Sequence, residues 1–423
     1  MPDAPNQRGA KRRAVSQRTG RIRYVSLMQP TILSPDQTRE LVPELARTLN
    51  PSVWLYRFRH PAQPWTLSIA THAEPGSDKL SLGGFRIAPK ERTETPGFNP
   101  DVEAIELAIG MEEKVYWSRL LHIGGPLARR DIKRIVGGKC VLEPTPDARV
   151  GQPNDFTLLD WAIECLRAFE STAGVRLTTG QDLGHGVMSD GNTKSLDYLS
   201  ERFPGSVDAD TSKPTAEGNY WALEGMLRAC RIPVEQATVG LIGLGNIGMH
   251  VLQKLRSSGA RVIGIELREE RRAAAAALGA TVWLPTDKCK LLEQPIDALV
   301  VNAAGGSLDA DTVRACAANE TLRVVCGSEN LALPNPDDAE RLRESGKSFC
   351  PTELGGMMGY LTAVEEYLAH LEGQAFDVHT LFEAAKDLEP ACYRATALQI
   401  ERNFTLGFEE AVRRTASESV PAA

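Results

Sequence analysis

No stretch of this sequence strings together the ~20 apolar residues that a bilayer-spanning helix needs, so no membrane span is expected. No apolar segment follows the basic residues near the N-terminus, which argues against a secretory signal. The eight cysteines (140, 165, 230, 289, 316, 326, 350 and 392) form no C-x-x-C pair. That scatter argues against a disulfide framework or a structural zinc site, and for reduced thiols, a cytoplasmic protein and no metal. Neither sign of charge dominates: 48 Lys and Arg face 55 Asp and Glu, a net −7 that gives nucleic acid no reason to be a main partner. Internal repeats and low-complexity core segments are also missing. What remains, 42% hydrophobic and 24% charged, is an ordinary globular composition. At 423 residues the chain is long enough for two domains, since single cores stop growing near ~250–300 residues. Residues 1–23 alone depart from this balance, with seven Lys and Arg against Asp3. They read as a disordered basic arm, with a transit peptide or an anion-binding tail as alternatives.

What is there centres on Thr238-Val-Gly-Leu-Ile-Gly243-Leu-Gly245-Asn246-Ile247-Gly248-Met. An apolar strand, a glycine turn and an amphipathic helix follow one another. Gly243, Gly245 and Gly248 fit G-x-G-x-x-G: one glycine for the tight turn, one for close approach to a pyrophosphate, one for packing helix on strand. The amides at the helix start, around Asn246 and Ile247, offer that pyrophosphate donors and a favourable dipole. A second apolar strand, Arg261-Val-Ile-Gly-Ile-Glu266, ends in an acid 23 positions past Gly243. That is close to the ~20 expected of the residue that binds the ribose hydroxyls. Its charge favours NAD over NADP, although Arg268, Arg271 and Arg272 just beyond could reverse the preference.

Periodicity predicts helices over 34–49, 101–121, 155–171 and 217–230, and strands over 53–58, 65–72 and 80–87, the last interrupted by glycines. The segment 135–142 is strand-like. Residues 204–214, rich in Pro, Gly, Asp, Ser and Thr, mark a domain boundary. Strands alternating with helices after 215 predict a doubly wound parallel sheet, closing near Pro351, with helices again from Met357. The fold class expected is therefore α/β in two domains: residues 24–205, a Rossmann-type unit over 206–353, and C-terminal helices over 354–423 returning to the first domain. Asn302, Ala303 and Ala304, after the strand 297–302, and Ser328 and Asn330, after the strand 322–326, are further candidate cofactor contacts.

Upstream, Lys139 and Asp182 each sit in a glycine-rich turn and are the types needed to polarise a carbonyl and move a proton. Burial beside other cations would lower the Lys139 pKa toward neutrality. Lys114 could pair with a substrate carboxylate by a charge-assisted hydrogen bond. Taken singly, each also reads as a surface lysine or a turn aspartate.

Several short segments, in order, resemble the glutamate/leucine/phenylalanine/valine dehydrogenase family, most of all its leucine and phenylalanine branch. Leu82-Gly83-Gly84-Phe-Arg86-Ile-Ala-Pro89 resembles the family's L-G-G-x-R-x-x-P strand. Gly110-Met111-Glu-Glu-Lys114 resembles G-M-x-x-K, and Gly137-Gly138-Lys139 resembles G-G-G-K. Thr179-Gly-Gln-Asp182-Leu-Gly184, Gly327-Ser328-Glu-Asn330 and Gly355-Gly356 are similar to three further family segments. The resemblance implies an NAD(P)-dependent amino-acid dehydrogenase that deaminates a 2-amino acid oxidatively, or aminates a 2-oxo acid in reverse. It implies that Lys114 holds the substrate carboxylate beside Gly83, Gly84 and Met111, and that Lys139 and Asp182 are catalytic. It further implies that the first domain both binds substrate and assembles a homo-oligomer, at least a dimer. An imine reductase and an inactive nucleotide-binding regulator are the alternatives.

Four departures qualify that likeness. Lys114 and Lys139 are 25 residues apart, wider than the family's spacing, and residues 126–136 read as an insertion. If that insertion is not looped out, Arg129, Arg130 or Lys133 could take the place of Lys139. Gly218 aligns where the family has a threonine beside the nicotinamide amide. Glu353 stands in the family's N-A-G-G, and His185 stands where a small polar residue follows the catalytic aspartate. Glu353 and His185, read as substrate contacts, suggest a non-standard substrate larger or more basic than leucine.

Overall fold

The computed structural model describes residues 28–418 and contains two six-stranded sheets. The basic arm expected at 1–23 lies outside the described residues. The first sheet is built from β1 (Thr31–Leu33), β2 (Trp54–Arg59), β3 (Thr66–Thr71), β4 (Leu80–Ile87), β5 (Ile135–Glu143) and β6 (Arg176–Gly180), in the order β1-β2-β3-β5-β4-β6. Pairing is antiparallel as far as β5 and parallel from β5 through β4 to β6. The helices Pro100–Leu121 and Asp155–Ala173 cover it with buried apolar faces, among them Ile105, Met111, Val115, Leu158, Leu166 and Phe169.

Two expectations shift here for identifiable reasons. The helix expected over 34–49 stops at Leu41, and a 3-10 turn over Pro43–Arg47 follows. Pro43 forces Val42 out of helical geometry, to φ −132° and ψ 84°. Lys139 is not in a turn, and β4 is not broken by its glycines; both lie in continuous strands. The glycines are there because neighbouring backbones come close. A Cβ on Gly83 would collide with the Gly138 carbonyl, and one on Gly137 with the Glu112 amide of the helix behind.

The second sheet is wholly parallel, with β7 (Thr238–Ile242), β8 (Arg261–Ile265), β9 (Thr281–Trp283), β10 (Ala298–Val301), β11 (Val324–Gly327) and β12 (Ser348–Phe349). Its order is β12-β11-β10-β7-β8-β9, so direction of winding reverses between β7 and β10. In open α/β sheets the crevice at that reversal, beyond the carboxyl ends of the strands, is where ligands bind.

The helix Met357–Leu371 is anchored through adjacent carboxylates to the short helix before β5 and to the segment that joins the two units. Glu365 accepts from the Leu127 and Ala128 amides at 3.0 and 2.8 Å, and Glu366 accepts from the Asp208 and Ala209 amides at 3.3 and 3.0 Å. Further on, the helix Leu388–Glu401 packs on Ser212–Ala229. The last helix, Phe408–Glu418, reaches back to the first unit, where Arg413 donates to the Tyr116 hydroxyl at 3.0 Å.

Candidate active site

A cleft of about 790 Å³ opens where the carboxyl ends of both sets of parallel strands face each other. From the first sheet come Gly83 and Gly84 on β4, Lys139 on β5 and Asp182 just past β6; Met111 and Lys114 come from the Pro100–Leu121 helix. Gly84 makes the room these side chains use, since a Cβ there would stand 2.9 Å from Lys139 Nζ and 3.0 Å from Asp182 Oδ2. Lys139 and Asp182 form a buried ion pair. Arg86, also in the cleft wall, donates to Asp182 Oδ1 at 3.1 Å and to Glu103 at 2.6 Å. Sequence reasoning quoted Arg86 as part of a motif but gave it no role; its place two residues past the Gly83-Gly84 pair of β4 was the available signal.

Charges in this group are strongly perturbed. Burial alone would raise Asp182, but the Arg86 and Lys139 charges outweigh it and hold the carboxyl well below the usual range. Burial pulls Lys139 down, and Arg86 adds to that pull against the attraction of Asp182. Burial likewise lowers Lys114 to about 8 despite the Glu353 charge behind it. Lys114 Nζ donates to Asn330 Oδ1 at 3.0 Å, so one bond already bridges the two sheets. If Lys114 binds a carboxylate, KM for a 2-oxo acid should rise above about pH 8, by up to about tenfold per pH unit, because a lysine loses its charge above its pKa. A pH series of KM checks this; a flat profile would detach Lys114 from substrate.

The second sheet supplies the opposite wall. Gly243 has φ +87°, and a Cβ on it would lie 2.7 Å from the Asn302 carbonyl oxygen. Gly248 abuts the Gly243 carbonyl, so the helix Asn246–Ser257 rests directly on the turn. Gly245 differs: a Cβ there would meet only Arg268 Nη2, at 4.0 Å. That open face, at the helix start, is the cradle a pyrophosphate fills. Glu266 stays low-pKa against its burial because the Arg268 and Leu244 amides each donate to it at 2.9 Å. Asn302 Oδ1 accepts from the Ser328 amide and hydroxyl at 3.1 and 2.6 Å, while its buried Nδ2 has no partner among the described residues. An orphaned donor in the cleft wall fits a bound polar group. Ala303, Ala304, Ile247 and Asn246 line the same wall. Glu329 holds this end in shape, accepting from the Ala303 and Ser307 amides at 2.9 and 2.7 Å. Sequence reasoning passed over Glu329 as a contact.

Three expected residues stand elsewhere. His185 does not line the cleft: Nε2 donates to the Phe85 carbonyl at 2.7 Å, and Nδ1 accepts from Ser195 Oγ at 3.0 Å. Glu353 lies half-buried behind Lys114, outside the cleft wall, where desolvation raises its pKa. Gly218 packs on Met358 and Leu388; Thr215, one turn earlier, is the helix residue that reaches the cleft. Of the expected insertion, residues 126–134 are looped out as the short helix Pro126–Asp131 and a turn, while Ile135 and Val136 already belong to β5; Arg130 is half exposed and paired with Glu372. A second hollow of about 550 Å³, beside Tyr220 and Trp221, has its Lys254 already bound by Glu217 at 2.7 Å.

Residues 210–308 match the family model described as D-isomer specific 2-hydroxyacid dehydrogenase, NAD binding domain. Over 305 residues the chain is 26% identical to the valine dehydrogenase of Streptomyces coelicolor, covering 70% of this chain and 74% of that protein. Over 241 residues it is 23% identical to the leucine dehydrogenase of Bacillus subtilis, covering 54% and 64%. The crystal structure of L-tryptophan dehydrogenase from Nostoc punctiforme superposes with a TM-score of 0.59 at 18% identity, over 90% of this chain and 97% of that one. Over most of its length the chain is thus similar to amino-acid dehydrogenases. The hydroxyacid-dehydrogenase match is confined to the second sheet's unit, and so concerns the dinucleotide-binding fold. Its cofactor is NAD(P).

Proposed function

We propose that this amino-acid dehydrogenase deaminates a 2-amino acid oxidatively with NAD(P), and aminates the 2-oxo acid in reverse. The observation that carries this is the buried Lys139–Asp182 pair beside Lys114, facing the glycine turn across one cleft. The working division is a substrate unit over 24–205, a dinucleotide unit over 206–353 and returning helices over 354–423. Homo-oligomeric assembly and a cytoplasmic location belong to the same reading; light scattering on the purified protein tests the first.

Lys114 holds the substrate carboxylate, exchanging its bond to Asn330 for the ligand. Asp182, ionised, takes a proton from the substrate amine. The bound nicotinamide supplies the acceptor for the hydride lost from the α-carbon. Once Asp182 has released that proton to solvent, it takes a second from the water that Lys139 steadies as it adds to the iminium carbon. Asp182 returns this proton to the nitrogen, the C–N bond breaks, and ammonia leaves as the hydroxyl proton is lost to solvent, giving the 2-oxo acid. Arg86 keeps Asp182 charged and aimed, and the cleft walls exclude bulk water from the hydride step.

Because His185 and Glu353 do not line the cleft, a basic substrate side chain loses its support. Leu82, Met111, Tyr360 and Ala363 in the wall favour an uncharged, mainly apolar one. Nicotinamide absorbance across an amino-acid panel tests the proposal. Best turnover on apolar 2-amino acids supports it; dinucleotide binding without turnover on any amine would point to an inactive regulator. Within the same assay, Lys139→Ala should lose about 10³-fold in kcat. Arg130→Ala should leave it unchanged, since Arg130 sits at the surface with Glu372. The reverse pattern would reassign the lysine.

A further inference from the structure

His185 stands outside the cleft, yet both of its hydrogen bonds bear on the segment that carries Asp182. The parallel pairing of β4 with β6 ends at Gly84 and Gly180. Beyond it the chain folds over the end of β4 instead of leaving it. The Ile87 amide donates to the Leu183 carbonyl at 3.0 Å, and Gly184, at φ +84°, lies so close that a Cβ would collide with the Ile87 carbonyl. Leu183 in turn donates its amide to Asp182 Oδ1 at 2.6 Å. His185 Nε2 then donates to the Phe85 carbonyl at 2.7 Å. Phe85 and Ile87 are the chain neighbours of Arg86, so the Asp182 segment is fastened on both sides of the arginine that meets Asp182. On the far side of the ring, the buried Ser195 Oγ accepts from the Gly186 amide at 3.1 Å, which leaves its proton for His185 Nδ1 at 3.0 Å. The two ring bonds together select the neutral tautomer with its proton on Nε2. Burial lowers the pKa of the ring, against the Phe85 carbonyl and the Asp182 charge, and Lys139 adds to the lowering, so that form persists at neutral pH.

We propose that His185 is a positioning residue: from outside the cleft it holds Asp182 in line with Arg86 and Lys139, and so sets how fast Asp182 takes protons. The inference rests on the reading of Asp182 as the base. A single link, from Ile87 to Leu183, leaves the segment free to pivot; the second, from His185 to Phe85, removes that freedom. A base must stand within hydrogen-bond reach of the proton it takes, and a displacement of about 1 Å costs up to about 10²-fold in rate. The groups assigned to the substrate carboxylate and the dinucleotide, Lys114 and the glycine turn, stand on other elements. Losing His185 therefore slows proton transfer and spares binding.

Kinetics of the full-length protein on its best amino acid test this, with sites in each variant counted by NAD⁺ titration. His185→Leu should lower kcat per site by about 10–100-fold, with KM and the NAD⁺ Kd within about threefold of the parent. Its solvent deuterium isotope effect on kcat should exceed the parent's, because proton transfer has become slower. A residue that only keeps the protein folded would change the number of sites and leave that isotope effect alone. His185→Gln, which keeps an N–H donor for the Phe85 carbonyl, should return kcat to within about threefold of the parent. If His185→Leu does not fold, Ser195→Ala carries the test. It removes the support of Nδ1 and should lower kcat by about 3–10-fold with the same isotope signature. An isotope effect equal to the parent's in the variant that folds would overturn the proposal, as would a His185→Gln enzyme as slow as His185→Leu. Absence of turnover in the parent, or full turnover in Asp182→Asn, would instead sink the reading on which it rests.

Discussion

Asp182→Asn should lower kcat for amino-acid oxidation by about 10³-fold while leaving dinucleotide affinity within about threefold. Asparagine keeps the size and one acceptor oxygen of the carboxylate but cannot take a proton. It also removes the negative partner that Lys139 has among the described residues, leaving that lysine buried beside Arg86. The lysine then escapes by losing its own proton, a direction in which burial already pushes it. Some stability should be lost as well, up to about 3 kcal/mol, because a buried pair with one member neutralised leaves the other charge uncompensated. Steady-state kinetics, a fluorescence titration with dinucleotide and a thermal melt separate these effects. Full turnover in this variant would remove Asp182 from the mechanism.

The second large effect is steric. Gly248→Ala should abolish measurable dinucleotide binding and destabilise the protein by about 2–4 kcal/mol. The added methyl meets the Gly243 carbonyl oxygen, which belongs to backbone and cannot swing aside. The helix Asn246–Ser257 must lift off the turn, and its first amides leave the position from which they meet a pyrophosphate. Gly245→Ala is the contrasting variant. Its methyl touches nothing closer than Arg268 Nη2 at 4.0 Å, so the melt should be unchanged. Binding should still weaken, because the methyl projects where the ligand approaches. If Gly248→Ala melts and binds like the parent, the helix-on-turn packing described above is wrong.

Much of this site was readable from the residues because its signals are local. The glycine turn, the acid ending β8 and the lysines near glycine pairs are each short patterns with a physical reason for their spacing. What local patterns could not supply was the direction in which a residue faces. His185 follows Asp182 by three positions yet turns away to Phe85 and Ser195. Gly218 and Thr215 differ by one helical turn, which decides that Thr215 meets the cleft while Gly218 meets Met358. The glycines around Lys139 read as a turn because glycine marks both turns and close strand approach, and only the neighbouring backbone distinguishes them. The structural role of Glu329 was not legible because its partners are main-chain amides more than twenty residues away, which leave no trace in side-chain pattern.

The paired carboxylates Glu365 and Glu366 have a consequence for how the protein comes into being. They satisfy amides at 127–128 and 208–209, yet they are synthesised more than 150 residues later. During translation the early sheet therefore emerges with those donors unmet and with apolar surface awaiting the final helices. Its consolidation is a late event, completed when the end of the chain leaves the ribosome. For the same reason the two sheets do not make separable modules: a gene cut near position 206 would encode two pieces, each missing hydrogen-bond partners that the other holds.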